Sequence, residues 1–229
     1  MKILASDFDN TLFFSTDTKT TEKNIEAIKS FLLEGNTFCL ITGRTYMEIK
    51  SELERLELPY TYLICGDGAM IFDSTDYCIE RITLEKNVVE SVVEYLKDHG
   101  YDAYLEDGYN VTENTNDCIK VVAKYTDKEK AIKDVKDINE KFDVYAYASR
   151  KHININHKDC NKHIALKRLS ELENLPVKEI FVIGDDINDY EMLKTFNGAV
   201  ITKHNQALDD LNLSEYESLH QYIDYLLEL

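Results

Sequence analysis

Short apolar runs recur along the chain, separated by longer stretches in which apolar residues follow helical spacing. Such short runs are typical of buried strands, and they lie at 2–8, 37–42, 61–65, 179–184 and 198–202. The stretch 22–34 places Ile25, Ile28 and Phe31 on one helical face and stops at Gly35, which predicts a helix, and a second helix is predicted over 45–57. Strands that alternate with helices predict a Rossmann-like α/β fold, with a parallel sheet covered on both faces.

The middle of the chain follows a different pattern. Helical spacing recurs over 87–99 and 128–142, and strand-like runs lie at 101–106, 119–125, Val144–Ser149 and His152–His157. The last two runs alternate polar and apolar residues with period two, which indicates a sheet with one polar face. We therefore predict a small α/β domain over 80–156, inserted into a core that consists of residues 1–79 and 157–229.

Two carboxylates stand at the end of the first predicted strand. Asp7 and Asp9 stand two positions apart, and Thr11 follows them. Carboxylates at the end of a buried strand are unfavourable unless they meet a metal ion or a ligand. The carboxyl ends of parallel strands are also where open α/β sheets place their sites. The alternative is an ordinary strand end in solvent.

A second acidic cluster follows the strand predicted at 179–184. If its first carboxylate, Asp185, meets Asp7 and Asp9, the group forms a set of hard oxygen ligands that suits Mg²⁺. The alternative is that the remaining polar residues only cap the helix predicted over 189–196; these residues are Asp186, Asn188 and Asp189.

Two further segments carry candidate chemistry. The strand at 37–42 ends in Thr42, Gly43 and Arg44, whose hydroxyl and backbone N–H groups could hold a phosphate oxygen, unless the segment is an ordinary turn. Lys162 precedes the helical pattern over 163–172, where an isolated lysine is ordinarily a solvated charge.

These four segments together resemble the haloacid dehalogenase superfamily, in particular its Cof-type sugar-phosphate phosphatases. The segment DFDNT at 7–11 matches the first family motif, ITGR at 41–44 the second, and GDDINDYEML at 184–193 the fourth, while Lys162 takes the place of the third. The chain departs from the family at His163, where a glycine is usual, and at Asp67, where an asparagine is common.

The resemblance implies a role for each segment. Asp7 would be the nucleophile, Asp9 the general acid and base, and Thr42 and Lys162 would stabilise the transferring phosphoryl group. It implies that Mg²⁺ is held by Asp7, by the Asp9 backbone carbonyl and by the fourth-motif carboxylates Asp185 and Asp189. Residues implied for substrate binding are Thr11, Gly43, Arg44 and Asn188. The inserted domain 80–156 would be the family's larger α/β cap.

The function predicted from these features is a Mg²⁺-dependent phosphatase for a small phosphorylated metabolite, in the first place a sugar phosphate. A phosphomutase would use the same Asp7 but return the phosphoryl group to a second position, and a regulatory module would bind phosphate without turnover. Neither the substrate nor the oligomeric state is predicted.

Composition narrows the class of partner. The net charge of −17 argues against nucleic acid and anionic membranes as partners. Five cysteines without metal-site spacing indicate free thiols in a reducing compartment. No apolar run approaches the length of a membrane span, and the first strand leaves no room for a signal peptide. We therefore expect a cytoplasmic protein.

Overall fold

The computed structural model describes residues 1–229 and contains thirteen strands and seven α-helices. The strands are β1 (Ile3–Asp7), β2 (Thr37–Ile41), β3 (Tyr62–Cys65), β4 (Met70–Asp73), β5 (Cys78–Arg81), β6 (Ala103–Glu106), β7 (Val111–Thr112), β8 (Lys120–Lys124), β9 (Val144–Ser149), β10 (His152–His157), β11 (Ile180–Gly184), β12 (Asn197–Ile201) and β13 (Ser214–Tyr216). The helices are α1 (Thr18–Leu33), α2 (Tyr46–Leu56), α3 (Lys86–Asp98), α4 (Lys128–Lys141), α5 (Lys162–Leu172), α6 (Tyr190–Thr195) and α7 (Leu219–Glu228).

Eight strands form a large sheet in the order β13-β12-β11-β1-β2-β3-β4-β5. The six strands from β13 to β3 run parallel, and β1 is buried along its whole length at the centre. Apolar residues of α1, α2 and α7 pack on one face of the sheet, and those of α5 and α6 pack on the other. The predicted Rossmann-like α/β core is confirmed.

Parts of the large sheet differ from the prediction. The sheet also contains two strands that the sequence did not predict, β4 and β5, which run antiparallel to their neighbours. These strands have four residues each, too few for a clear period, and β5 is only half-buried. The predicted start of the first helix is also wrong: α1 begins at Thr18, where the Asp17 side chain accepts a hydrogen bond from the Thr20 N–H. Its first turn carries no apolar residue, so the periodic pattern begins one turn late.

Five further strands form a small antiparallel sheet in the order β7-β6-β8-β10-β9. Apolar residues on one face of this sheet pack against α3 and α4 in a separate core cluster. The opposite face, with the alternate residues of each strand, turns towards the carboxyl ends of the large-sheet strands. The predicted boundary at 79/80 lies within β5 of the large sheet, and residue 157 is the last residue of β10.

Two further features describe the chain as a whole: the state of its cysteines and the apolar content of its helices. All five cysteines are free, and four of them are buried. No helix combines the length and the apolar content that crossing a membrane requires.

Candidate active site

The carboxyl ends of β1 and β11 bring two aspartates to one edge of the large sheet. These strands are parallel neighbours, with Ser6 opposite Ile183, so Asp7 and Asp185 leave the sheet side by side. Glycine is needed at position 184, because a Cβ atom there would lie 2.5 Å from the Asp189 side chain. The two aspartates that the sequence analysis expected to converge thus lie at neighbouring strand ends.

Lys162 is buried between two carboxylates at this edge. It begins α5, whose N-terminus is capped by the Asn161 side chain. Its Nζ donates hydrogen bonds of 2.6 Å to Asp7 and 2.6 Å to Asp189. Burial alone would lower the pKa of Lys162, but Asp189 and Asp7 together raise it above its ordinary value. The lysine is therefore a fixed positive charge beside Asp7, and not a solvated side chain at a helix start.

The fourth-motif segment supports Lys162 from the other side. The second oxygen of Asp189 accepts hydrogen bonds from the backbone N–H groups of Asp185 and Asp186, at 3.0 and 3.1 Å. Asp186 in turn caps the short 3₁₀ helix Ile187–Asp189. The capping interpretation thus holds for Asp186. Both oxygens of Asp189 are therefore engaged in hydrogen bonds. Its role as a metal ligand stays a prediction.

The buried carboxylates concentrate negative charge in a small volume. One oxygen each of Asp7, Asp185 and Asp189 lie within 4.8 Å of one another. Burial raises the pKa of Asp7 well above its ordinary value, against the opposing effect of Lys162. Burial and the neighbouring Asp189 raise the pKa of Asp185 to about 6. A divalent cation would supply the missing positive charge, and carboxylate oxygens are the ligands that Mg²⁺ prefers. The residues present therefore fit such an ion.

An arginine from the small sheet reaches the same group of oxygens. Arg150 Nη2 donates to the Asp9 backbone carbonyl at 2.9 Å and to Asp185 Oδ2 at 3.2 Å. Arg150 and Lys151 form the two-residue turn between β9 and β10, with positive φ angles of 46° and 70°. The sequence analysis missed Arg150, because a polar pair between two alternating runs predicts a turn but not the direction in which its side chains point.

The second motif lies at the end of β2, opposite Asp9. The Arg44 guanidinium donates two hydrogen bonds to the Asp9 carboxylate, at 2.6 and 2.9 Å. The buried Thr42 hydroxyl accepts a hydrogen bond from the Arg44 backbone N–H at 3.2 Å. A Cβ atom at Gly43 would lie 2.8 Å from the carboxylate of Asp67, so the absence of a side chain lets Asp67 pack against this loop.

Thr11 and Asn188, both predicted to bind substrate, occupy different places. Thr11 is fully buried, and its hydroxyl donates to Asp185 Oδ1 at 3.3 Å. It therefore positions Asp185 and does not line the cavity. Asn188 lines the cavity, and its amide donates to Asp67 Oδ1 at 3.3 Å.

A cavity of about 340 Å³ separates the two sheets above these residues. On the side of the large sheet, residues of the first and second motifs form the wall of the cavity. The small sheet contributes side chains that the sequence analysis did not assign to the site, among them Tyr104, Glu106, Lys120, Val122, Tyr147 and Asn154. The wall has only three hydrophobic residues among seventeen, so the cavity fits a small polar ligand.

Lys120 connects the small sheet to the second motif. Its Nζ donates to the Gly43 carbonyl at 2.8 Å and lies 3.1 Å from Asp67 Oδ2 and 3.5 Å from Glu106 Oε2. Burial alone would lower the pKa of Lys120, but Asp67 and Glu106 raise it above its ordinary value. Burial also opposes ionisation of Asp67, yet Lys120 and Lys162 hold the pKa of that carboxyl below its usual range. A second buried ion-paired group thus joins the two sheets.

Comparison with known proteins agrees with this arrangement. The family model of the haloacid dehalogenase-like hydrolases matches residues 4–117 and 106–200. A 5-amino-6-(5-phospho-D-ribitylamino)uracil phosphatase of Bacillus subtilis strain 168 is 24% identical over 203 residues, which cover 85% of this chain and 80% of the relative.

Solved structures share the fold. A haloacid dehalogenase-like hydrolase from B. subtilis superposes with a TM-score of 0.87 at 18% identity, over 99% of this chain and 100% of the other. A subclass IIB sugar phosphatase of the superfamily has a TM-score of 0.83 at 15% identity, over 100% of both chains. Since the family model spans most of the sequence and the relatives are phosphatases, this chain belongs to the haloacid dehalogenase-like hydrolases, as a Cof-type phosphatase.

Proposed function

We propose that this enzyme is a Mg²⁺-dependent phosphatase that hydrolyses a small phosphorylated metabolite, in the first place a sugar phosphate, through an aspartyl-phosphate intermediate. The observation that supports this most strongly is the contact between Lys162 and Asp7, at 2.6 Å in a buried site whose Asp7 side chain borders the cavity. A lysine that donates to two carboxylates holds Asp7 in position and favours its charged form against the effect of burial.

In the first step, an oxygen of Asp7 attacks phosphorus, and the bond from phosphorus to the leaving-group oxygen breaks. Lys162 holds the other Asp7 oxygen and fixes the direction of attack. The Thr42 hydroxyl, in the cavity wall, donates to a phosphoryl oxygen as charge shifts onto it. Mg²⁺, held by Asp7, the Asp9 carbonyl and Asp185, would offset the repulsion between carboxylate and phosphate.

Asp9 is the candidate for the proton transfers. Its carboxyl group donates a proton to the leaving alkoxide and later accepts one from the water that attacks phosphorus of the aspartyl phosphate. Inorganic phosphate then leaves, and the Asp7 carboxylate is restored. Because Arg44 bonds both Asp9 oxygens, Arg44 has to turn towards the substrate phosphate before the Asp9 carboxyl group can contact the leaving group.

The small sheet and its helices, within 80–156, are proposed to act as a cap that sets substrate choice. They supply half of the cavity wall, whereas the motif residues belong to the large sheet. The relatives support a small substrate, since one is named for a phosphorylated ribityl compound and another as a sugar phosphatase. Five free cysteines fit the reducing cytoplasm as the place of action.

The test is release of inorganic phosphate from nitrophenyl phosphate and from a panel of phosphorylated metabolites. Asp7→Asn removes the attacking oxygen without changing volume, so we expect a loss of at least about 10³-fold in kcat. The matched control is Asp98→Asn, the same substitution at an exposed position of α3. Circular dichroism verifies that both variants fold. If Asp7→Asn keeps a tenth of the wild-type rate, Asp7 is not the nucleophile.

A second measurement separates hydrolysis from phosphoryl transfer within the substrate. A phosphatase releases phosphate stoichiometrically from a sugar monophosphate without a bisphosphate activator. An isomeric sugar phosphate formed without phosphate release would instead identify a phosphomutase.

A further inference from the structure

The small sheet presents an ordered polar surface to the cavity. Tyr104, Val122, Asn154 and Tyr147 stand opposite one another across four strands, so they form a single row. The next row contains Glu106, which pairs directly with Lys120. Because rows on one face of a sheet are held in register by the backbone, these side chains form a fixed wall.

Glu106 is the member of this wall with a buried charged side chain that has an acceptor atom without a donor. It is only 7% exposed, and its Oε2 atom has no donor within hydrogen-bond geometry. The nearest cation, Lys120 Nζ, is 3.5 Å away. Burial raises the pKa of Glu106 above its ordinary value, and the nearby Lys120 offsets this effect only in part. A buried acceptor without a donor is less stable than a bonded one, so a donor from a ligand would be favoured here.

The cations of the cavity wall are already committed to other acceptors. Lys120 is paired with Asp67 and bonded to the Gly43 carbonyl. Arg44 and Arg150 are bonded to the aspartates of the reaction centre. The positive charge of Arg44 and Arg150 thus lies at the motif end of the cavity, where the phosphate of a substrate would bind. At the Glu106 end the nearest cation is Lys120, which is already paired, so none is left to neutralise a second phosphate.

From this arrangement we infer that Glu106 is a specificity residue that accepts a hydrogen bond from a hydroxyl or amino group of the leaving group and excludes a second anionic group there. The inference rests on the proposed phosphatase function and narrows its substrate class. The substrate is a monophosphate whose leaving group carries hydrogen-bond donors and no further phosphate or carboxylate. An uncharged or cationic polar group thus fits the small-sheet end of the cavity.

The experiment uses competition against hydrolysis of nitrophenyl phosphate at constant free Mg²⁺. Glucose 6-phosphate and glucose 1,6-bisphosphate serve as probes, because they differ only in a second phosphate. For the wild-type protein we expect the inhibition constant of the bisphosphate to be at least about tenfold higher than that of the monophosphate.

Three variants identify the cause of that difference. Glu106→Gln removes the charge at constant shape, and we expect the ratio of the two constants to fall to about threefold or less. Glu106→Asp keeps the charge and should keep the ratio, although both constants rise. Glu140→Gln is the matched control, since it makes the same change at an exposed position of α4, in the same part of the chain.

The ratio cancels any general loss of activity or stability in a variant. If the wild-type protein hydrolyses nitrophenyl phosphate but both probes inhibit it equally, or neither does, the inference about Glu106 is overturned and the phosphatase function stands. The same holds if Glu106→Gln leaves the ratio unchanged. If nitrophenyl phosphate and the metabolite panel release no phosphate in the presence of Mg²⁺, it is the proposed function that fails.

Discussion

Two buried lysines lie near the cavity, and their surroundings differ: Lys120 lines the cavity, whereas Lys162 contacts Asp7 of its wall. Lys162 donates to Asp7 and Asp189 at 2.6 Å each, and the second Asp189 oxygen is bonded in turn to the backbone. Lys120 reaches from β8 to the loop after β2. Around Lys120, one oxygen of Asp67 and one of Glu106 have no hydrogen-bond partner.

The difference separates two tasks within one site. A fully bonded group in low dielectric is rigid, because any movement breaks a strong interaction. Such a group suits the fixed geometry that phosphoryl transfer needs. A partly bonded group at the junction of two sheets can instead exchange partners when a ligand arrives or the sheets move apart. We therefore assign chemistry to the Lys162 side and selection of the leaving group to the Lys120 side.

Removal of divalent metal should have the largest effect on phosphate release. This effect concerns the chemistry that is assigned to the Lys162 side of the site. We expect phosphate release to fall below about one thousandth of its initial value in excess chelator and to return with added Mg²⁺. Circular dichroism before and after chelation controls for unfolding. Undiminished turnover after exhaustive removal of metal would contradict the metal assignment.

Lys162→Met should come next. It leaves Asp7 and Asp189 without their shared cation, so we expect a loss of about 10²–10³-fold in kcat and of about 3–5 kcal/mol in the free energy of unfolding. Stopped assays and urea titration measure the two quantities. Lys167→Met, on the exposed side of the same helix, is the control. A variant with near wild-type kcat would remove Lys162 from the reaction centre.

Lys120→Met should have a smaller effect of a different kind. Its partners already lack some hydrogen bonds, so we expect about 1–3 kcal/mol of destabilisation and about tenfold in kcat/KM, expressed mainly in KM. Lys124→Met, exposed on the same strand, is the comparison. A kcat loss as large as that of Lys162→Met would contradict the assignment of different roles to the two lysines.

Arg150→Ala should produce the smallest change. The guanidinium contacts the Asp9 carbonyl and Asp185, two groups proposed to hold Mg²⁺. Without this competing cation, we expect the Mg²⁺ concentration for half-maximal rate to fall about two- to fivefold. Lys151→Ala, its neighbour in the turn, should leave that concentration unchanged. A higher requirement for Mg²⁺ would mean that Arg150 assists binding of the metal or the substrate.

The sequence analysis predicted the central strands and the acidic strand ends because both depend on local patterns. Asp7 and Asp185 follow apolar runs, and the order of parallel strands brings such ends together. Lys162 was singled out only through the resemblance to a family, since a lysine at a helix start is ordinarily solvated. The short strands β4 and β13 offered too few residues for a recognisable period.

The small-sheet half of the cavity could not be predicted for a different reason. Period two shows that a strand has a polar face, but not whether that face meets water or another part of the chain. Glu106 and Lys120 therefore have the pattern of solvent-facing strand residues, although both are buried. Only the packing of the two sheets, which depends on residues far apart in sequence, distinguishes the two cases.

The turn between β9 and β10 links function to folding stability. Both of its central residues adopt positive φ angles, of 46° and 70°, a conformation for which Asn-Gly is the favoured pair. A chain selected for hairpin stability alone would carry that pair, whereas this one carries Arg150 and Lys151 and accepts local backbone strain. Replacing the turn by Asn-Gly should strengthen the hairpin while removing the guanidinium from the acidic centre, so that folding stability and the Mg²⁺ requirement would change together. A thermostable variant altered at this turn should therefore also differ from the natural chain in its response to Mg²⁺.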